Sequence, residues 1–156
     1  MTSWTERPRA EATLLNPALV AVLLAEAARN YDSENGGMPW PLLFLIPPLV
    51  LHRPTRDALP RDTRTHFSAW VRRYPLLRAG FPGRAAAMVP ITREGIRLGM
   101  RSGVLSAENG NLRGHIESEP PPGELKGLMK RAALVGRWLS KTDQPSTVFA
   151  LLGVAP

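Results

Sequence analysis

The run from Thr92 to Ile116, TREGIRLGMRSGVLSAENGNLRGHI, carries a helix, a helix stop and a hairpin in one unbroken stretch. Thr92 is a good N-cap, and Glu94 lies in the first turn, where the helix dipole favours a carboxylate. Arg93, Arg97 and Arg101 follow at i, i+4 and i+8, one stripe about 12 Å long at a rise of 1.5 Å per residue. Leu98 lies on the other side with Gly95 and Gly99. Each glycine costs about 1 kcal/mol relative to alanine in a helix, so the pair predicts close backbone approach to a neighbouring element. Gly103 suits a left-handed stop. Asn109-Gly110 is the strongest short hairpin signal, a type I′ turn. That turn pairs Glu108 with Asn111, Ala107 with Leu112 and Leu105 with Gly114. Leu105, Ala107, Leu112 and Ile116 then share an apolar face.

Upstream, Phe67, Trp70, Val71 and Tyr74 recur at helical spacing, with Arg72 and Arg73 on the outer side. Pro75 is expected to end that helix, Pro82-Gly83 to open a short one, and Pro90 to stop it. Three helices, Thr65–Tyr74, Gly83–Val89 and Thr92–Arg101, followed by a hairpin at Val104–Ile116 make a winged helix-turn-helix pattern. In such a unit the third helix reads a major groove and the wing touches the backbone. The expected fold is mainly α: a helical domain with an embedded winged helix-turn-helix-like unit and one β-hairpin.

Working outward, Met38–Leu51 (MPWPLLFLIPPLVL) is almost wholly apolar and punctuated by four prolines. It is shorter than the roughly 20 residues needed to cross a bilayer. It predicts a short buried helix at Pro41–Leu45 and then an extended segment to Leu51, because Pro47 disfavours helical geometry at Ile46. Asn16-Pro17 is a strong helix start. The helix it opens is apolar nearly all round, with Ala18, Ala21, Ala25 and Ala28 forming a stripe on which another helix can lie close. Residues 32–37 read as a polar loop, 52–61 as a Pro- and Arg-rich connector, and 117–123 (ESEPPPG) as a stiff linker. Leu125–Leu139 is the last long helix, its buried stripe running through Leu125, Leu128, Met129, Ala132, Val135, Gly136 and Leu139. Ser146 or Thr147 caps a final apolar turn that Gly153 ends. The expected organisation is an arm at 1–13 and one compact domain at 14–156. Within it lie a buried helical part (14–52), a basic winged-helix-like part (53–116), the linker (117–123) and C-terminal helices (124–156).

The chain of 156 residues carries a formal charge of +7, owed to 17 Arg and 3 Lys. Eleven of those arginines fall between Arg53 and Arg101, against only Asp57, Asp62 and Glu94. A middle third this basic predicts an anionic partner, nucleic acid or an acidic protein surface, with a merely solvated basic face as the bland alternative. The sequence has no cysteine, which removes disulfides, thiolate metal sites and a cysteine nucleophile and suits the cytoplasm. The beginning of the chain has no signal-peptide pattern. His52, His66 and His115 have no helical metal spacing, and phosphate-loop, dinucleotide and nucleophile-elbow motifs are missing. No metal, cofactor or catalytic residue is expected, and the balance moves from an enzyme towards a binding or scaffold protein.

Several longer segments resemble the middle component of prokaryotic three-component ABC systems. They are LLNPALVAVLLAEAARNY, PLLFLIPPLVLHRPTRDALPRDT, ITREGIRLGMRSGVLS with ENGNLRG, RAALVGRWLSK and TVFALLGVAP. The resemblance covers about Leu14 to Pro156. It implies a small non-enzymatic adaptor that links an ABC ATPase of the chromosome-maintenance and repair type to a third, often effector-bearing component. It also implies antiphage defence, or conflict with other mobile elements, and an oligomeric state set by the complex. DNA is a further candidate partner, and a stand-alone winged-helix DNA-binding regulator is the alternative. Arg93, Arg97, Arg101 and Arg113 are the expected contacts to nucleic acid or an acidic partner. Arg53, Arg56, Arg61 and Arg64 are the expected rim of a partner interface.

Overall fold

The computed structural model describes residues 16–31, 36–142 and 144–155. The expected arm at 1–13, with Trp4, and the loop at 32–35 lie outside the described residues. Within them the elements run α1 (Pro17–Asn30), β1 (Met38–Pro39), α2 (Trp40–Leu43), α3 (Ile46–Val50), α4 (Arg53–Ala58), α5 (Phe67–Arg73) and α6 (Pro75–Ala87). They continue with α7 (Val89–Ser102), β2 (Leu105–Glu108), β3 (Asn111–Gly114), α8 (Glu124–Ser140) and α9 (Pro145–Leu152). The chain is mainly helical, with one small antiparallel sheet.

Helix α1 is the centre. Asn16 caps it through Oδ1, which accepts the Ala18 amide at 2.8 Å, and Pro17 fills the first position. Helices α7 and α8 lie on it, and β3 crosses it. Ala21, Ala25 and Ala28 of the alanine stripe are buried, whereas Ala18 is exposed. Three glycines on three different elements make the close approach possible. A Cβ on Gly95 of α7 would meet Val20 at 2.5 Å. One on Gly114 of β3 would fall on the Ala25 carbonyl, and one on Gly136 of α8 on the Ala27 carbonyl. Gly99 makes room for Leu105 in the same way.

The hairpin has the expected register, Leu105 opposite Gly114, Ala107 opposite Leu112 and Glu108 opposite Asn111. Asn109 and Gly110 both adopt positive φ, 54° and 79°, as a type I′ turn requires. Leu105 and Leu112 are buried, while Ala107 is exposed. The sheet also has a third strand that periodicity did not signal: Met38 and Pro39 pair with Leu112 and Asn111, making β3 central.

Prolines account for most departures from expectation. The segment after Leu45 is helical, not extended. Pro47 and Pro48 fall in the first turn of α3, where amides have no intrahelical acceptor to lose, and Leu51 N closes onto the Pro47 carbonyl at 2.8 Å. Pro54 likewise lies in the first turn of α4, inside the expected connector. Pro75 opens α6 directly after α5, and Pro82 lies inside that helix and does not begin a new one. Phe81 and Ala85, one turn apart, both reach the core. Pro90 sits in the first turn of α7, so Thr92 is not its cap; the Thr92 hydroxyl donates to the Met88 carbonyl at 2.8 Å. Pro145, not Ser146 or Thr147, starts α9, with Gln144 as N-cap. Gly103 and Gly153 terminate α7 and α9 in the left-handed region.

Of the three helices of the winged reading, the first and third correspond to α5 and α7 with the hairpin next, but the expected Gly83–Val89 helix is only the end of the longer α6, and α7 lies chiefly on α1, outside that unit. The apolar run from Leu42 to Val50 is almost entirely enclosed, Phe44 alone among its apolar side chains being half-buried. Trp138 of α8 completes an aromatic cluster with Phe67 (4.8 Å between centroids) and Trp70 (5.3 Å). Both indoles are satisfied: Trp138 Nε1 donates to the Thr65 carbonyl and Trp70 Nε1 to the Ala58 carbonyl, each at 2.7 Å. Leu125, expected in the buried stripe of α8, is exposed in the helix's first turn. A polar cluster ties α4 to α6. His52 Nδ1 lies 2.7 Å from the hydroxyl of fully buried Thr55, to which Arg84 also donates at 3.5 Å. Burial, and then the nearby Arg84 charge, hold the His52 pKa below its ordinary value.

Two glycines of α8 give an internal comparison. Gly136→Ala forces a methyl onto the Ala27 backbone and should destabilise the fold by about 1–3 kcal/mol, the range for overpacking a dense core. Gly127→Ala adds a methyl with nothing within 4 Å and should stabilise it by about 1 kcal/mol. Urea denaturation of the two variants checks both signs.

Candidate functional site

Helix α7 turns Ile91, Thr92, Gly95 and Gly99 inward, which leaves Arg93, Arg97 and Arg101 exposed on the outer face. Among the described residues, no carboxylate forms an ion pair with any of the three. The stripe expected from the i, i+4, i+8 spacing is therefore present as a line of solvent-facing guanidinium groups. Arg113 does not join it. By strand alternation Arg113 faces away from Leu112 and from Leu105, the side chain that abuts α7. Its Nε sits 3.8 Å from Glu108 Oε2, and its side chain runs past Gly37.

The Arg93 end of the stripe opens into an apolar groove of about 490 Å³. Trp40, Pro41, Phe44 and Leu45 form one wall, Pro82, Ala85, Ala86 and Val89 another, and Phe149 and Val154 the third. Among the described residues, Arg93 is its one charged lining residue. Trp40 is 52% exposed and stands edge-on to Phe44, with centroids 6.1 Å apart. Its backbone amide donates to the Gly110 carbonyl at 3.1 Å, so the hairpin turn fixes the rim of the groove. The third wall exists because α9 docks on α5 and α6 through Val148, Phe149 and Leu152. Arg78 Nε secures the end of that helix by donating to the Leu151 carbonyl at 3.1 Å.

The expected rim arginines are dispersed. Arg53 is exposed, 3.9 Å from Asp57. Arg56 is half-buried and donates to the Val50 carbonyl at 3.1 Å, closing the end of α3. Arg64 holds Asp62 at 2.8 Å; that hydrogen bond lowers the Asp62 pKa and raises that of Arg64. Arg61 lies exposed in a second, more polar concavity of about 510 Å³ with Lys130, Arg131 and Arg137 of α8. Two of these cations have protein acceptors: Arg131 donates to the Arg56 carbonyl and Arg137 to Asn30 Oδ1. Among the described residues, the two regions share no lining residue.

The groove was not anticipated. Its signal in the sequence is Trp40 between Pro39 and Pro41: an indole at the start of a short helix, where a core position is hard to reach. Its other walls come from residues more than 40 positions apart, which no local pattern relates. Of the histidines, His115 Nε2 lies 2.7 Å from the Ser106 hydroxyl and His52 bonds Thr55. Among the described residues, no group of three His, Asp or Glu side chains could hold a metal ion. No described helix is long and apolar enough to cross a membrane.

Neither the curated proteins nor the solved structures contain a match to this chain. A family model does match, over residues 4–156. That span takes in the central helix, the arginine stripe, the groove and the second concavity, and the chain belongs to the family of ABC-three component (ABC-3C) system Middle Component 3.

Proposed function

We propose that this chain is a non-enzymatic adaptor that joins the ABC ATPase of its three-component system to the third component, as the family name's middle position suggests. The observation that carries this reading is the half-exposed Trp40 over an apolar groove that runs into three exposed arginines. Apolar anchors beside a basic rim have the composition of a protein–protein interface, aromatic and Arg-rich. The polar contacts of His52 and His115 are hydroxyls that, among the described residues, have no carboxylate behind them, an arrangement that suits packing better than proton transfer. The wider role that follows is antiphage defence in the cytoplasm.

Co-expression with the two other components, followed by purification at moderate salt and size measurement, tests the adaptor. A stable complex containing all three is expected. A monodisperse monomer that retains neither component contradicts it.

A second reading has its own observation, the exposed spacing of Arg93, Arg97 and Arg101 directly before a hairpin. In it, α7 lies against a nucleic-acid backbone. Replacing all three arginines by alanine would then weaken DNA binding with little dependence on sequence. The slope of log affinity against log salt would become shallower by about 0.9 for each phosphate that the variant no longer neutralises. Wild-type protein that does not bind duplex DNA at low salt rejects this reading.

A further inference from the structure

We infer that the groove and the α7 stripe form one composite docking site for an acidic amphipathic segment of a partner protein. Such a segment places two or more apolar side chains in the groove and Asp or Glu residues along Arg97 and Arg101. This inference rests on the adaptor reading and specifies the chemistry of the partner.

Three observations combine. First, among the described residues the groove is apolar except for one cation, Arg93, which stands where the groove meets the stripe. Its walls complement hydrocarbon or aromatic side chains, and a sugar-phosphate backbone would leave them unused. Second, Arg97 and Arg101 continue from Arg93 at one and two further turns, about 6 and 12 Å along the helix. Ligand charge is therefore wanted beyond the groove and not inside it. Third, none of these arginines has an ion-pair partner among the described residues. A partner's carboxylates would thus add interactions without breaking internal ones, and planar guanidinium groups suit bidentate carboxylate binding. An amphipathic helix lying in an apolar groove is a common recognition mode, read as anchors one turn apart. The second concavity, around Arg61 and Arg131, does not have this pairing of apolar wall and cation line: much of its lining is polar and two of its cations already bond acceptors.

Ala86 is exposed and lines the groove from α6, which makes it a place to probe occupancy without touching the core. A photoreactive benzoyl-phenylalanine at Ala86, in the full chain within the co-expressed complex, is irradiated, and the crosslinked peptides are identified by mass spectrometry. The expected product joins position 86 to a partner segment with apolar residues followed by Asp or Glu. The matching synthetic peptide, titrated against the wild-type chain, should quench or shift Trp40 fluorescence. Arg97→Glu with Arg101→Glu should weaken that peptide at least tenfold while leaving the thermal transition in place. A crosslink to residues 1–15 of the same chain, to a second copy, or to a segment without acidic residues overturns the inference. So does a complex that assembles normally yet gives no crosslink. In each of those cases the three components still co-purify, so the adaptor reading survives; its own failure appears earlier, as a complex that never forms.

Discussion

The carbonyls of Ala25 and Ala27 in α1 lie where a methyl group on Gly114 or Gly136 would have to sit. With Gly95 against Val20, the central helix is approached from three directions by elements that have given up a side chain at the contact. Alanine and glycine surfaces bury little area per residue, so such an arrangement depends on distance: dispersion attraction grows only when backbones come close. The large side chains, Leu23, Leu24, Leu43, Leu49 and Trp138, then fill what remains and are almost completely enclosed. Because α7, β3 and α8 each touch α1 directly, their positions relative to one another follow from those of the three glycines.

That constraint determines what faces outward. Seating Gly95 and Gly99 inward turns Arg93, Arg97 and Arg101 outward on α7, since residues three and four apart share a face. Seating β3 through Gly114 brings the hairpin turn to the Trp40 amide, and so holds one wall of the groove. The opposite walls depend on α6 and on the docking of α9. Little of the strongly apolar sequence is left over for a partner: Leu42 to Val50 and Val148 to Leu152 are largely consumed by the core. What remains accessible is narrower than composition alone implies, a groove edged by Trp40 and not a broad hydrophobic face.

Local chemistry made a good part of this legible. The Asn109-Gly110 turn and its register, the Asn16-Pro17 start, the Gly103 and Gly153 stops and the packing role of Gly95 were all readable, because each depends on a few adjacent residues. Proline was the main source of error. The same residue that breaks a helix interior is neutral in a first turn, and only tertiary structure decides which position Pro47, Pro75, Pro90 and Pro145 occupy. The two-residue strand β1 was illegible because Pro39 and Met38 have no alternation to reveal. The site divided along the same line. A stripe on one helix was visible from spacing, whereas a groove with walls from residues 40, 86 and 149 was not; Arg113, read from the hairpin's alternation, does lie on the strand face away from Leu112.

Hydrogen–deuterium exchange on the chain alone and in its complex measures the central claim most directly. Close packing on α1 predicts that amides of residues 20–28 exchange slowest, through global unfolding only. The composite site predicts that partner binding adds protection at residues 40–45 and 82–101 and leaves the second concavity, residues 130–137, unchanged. Fast exchange in α1, or added protection confined to 130–137 with the groove unaffected, would contradict the account.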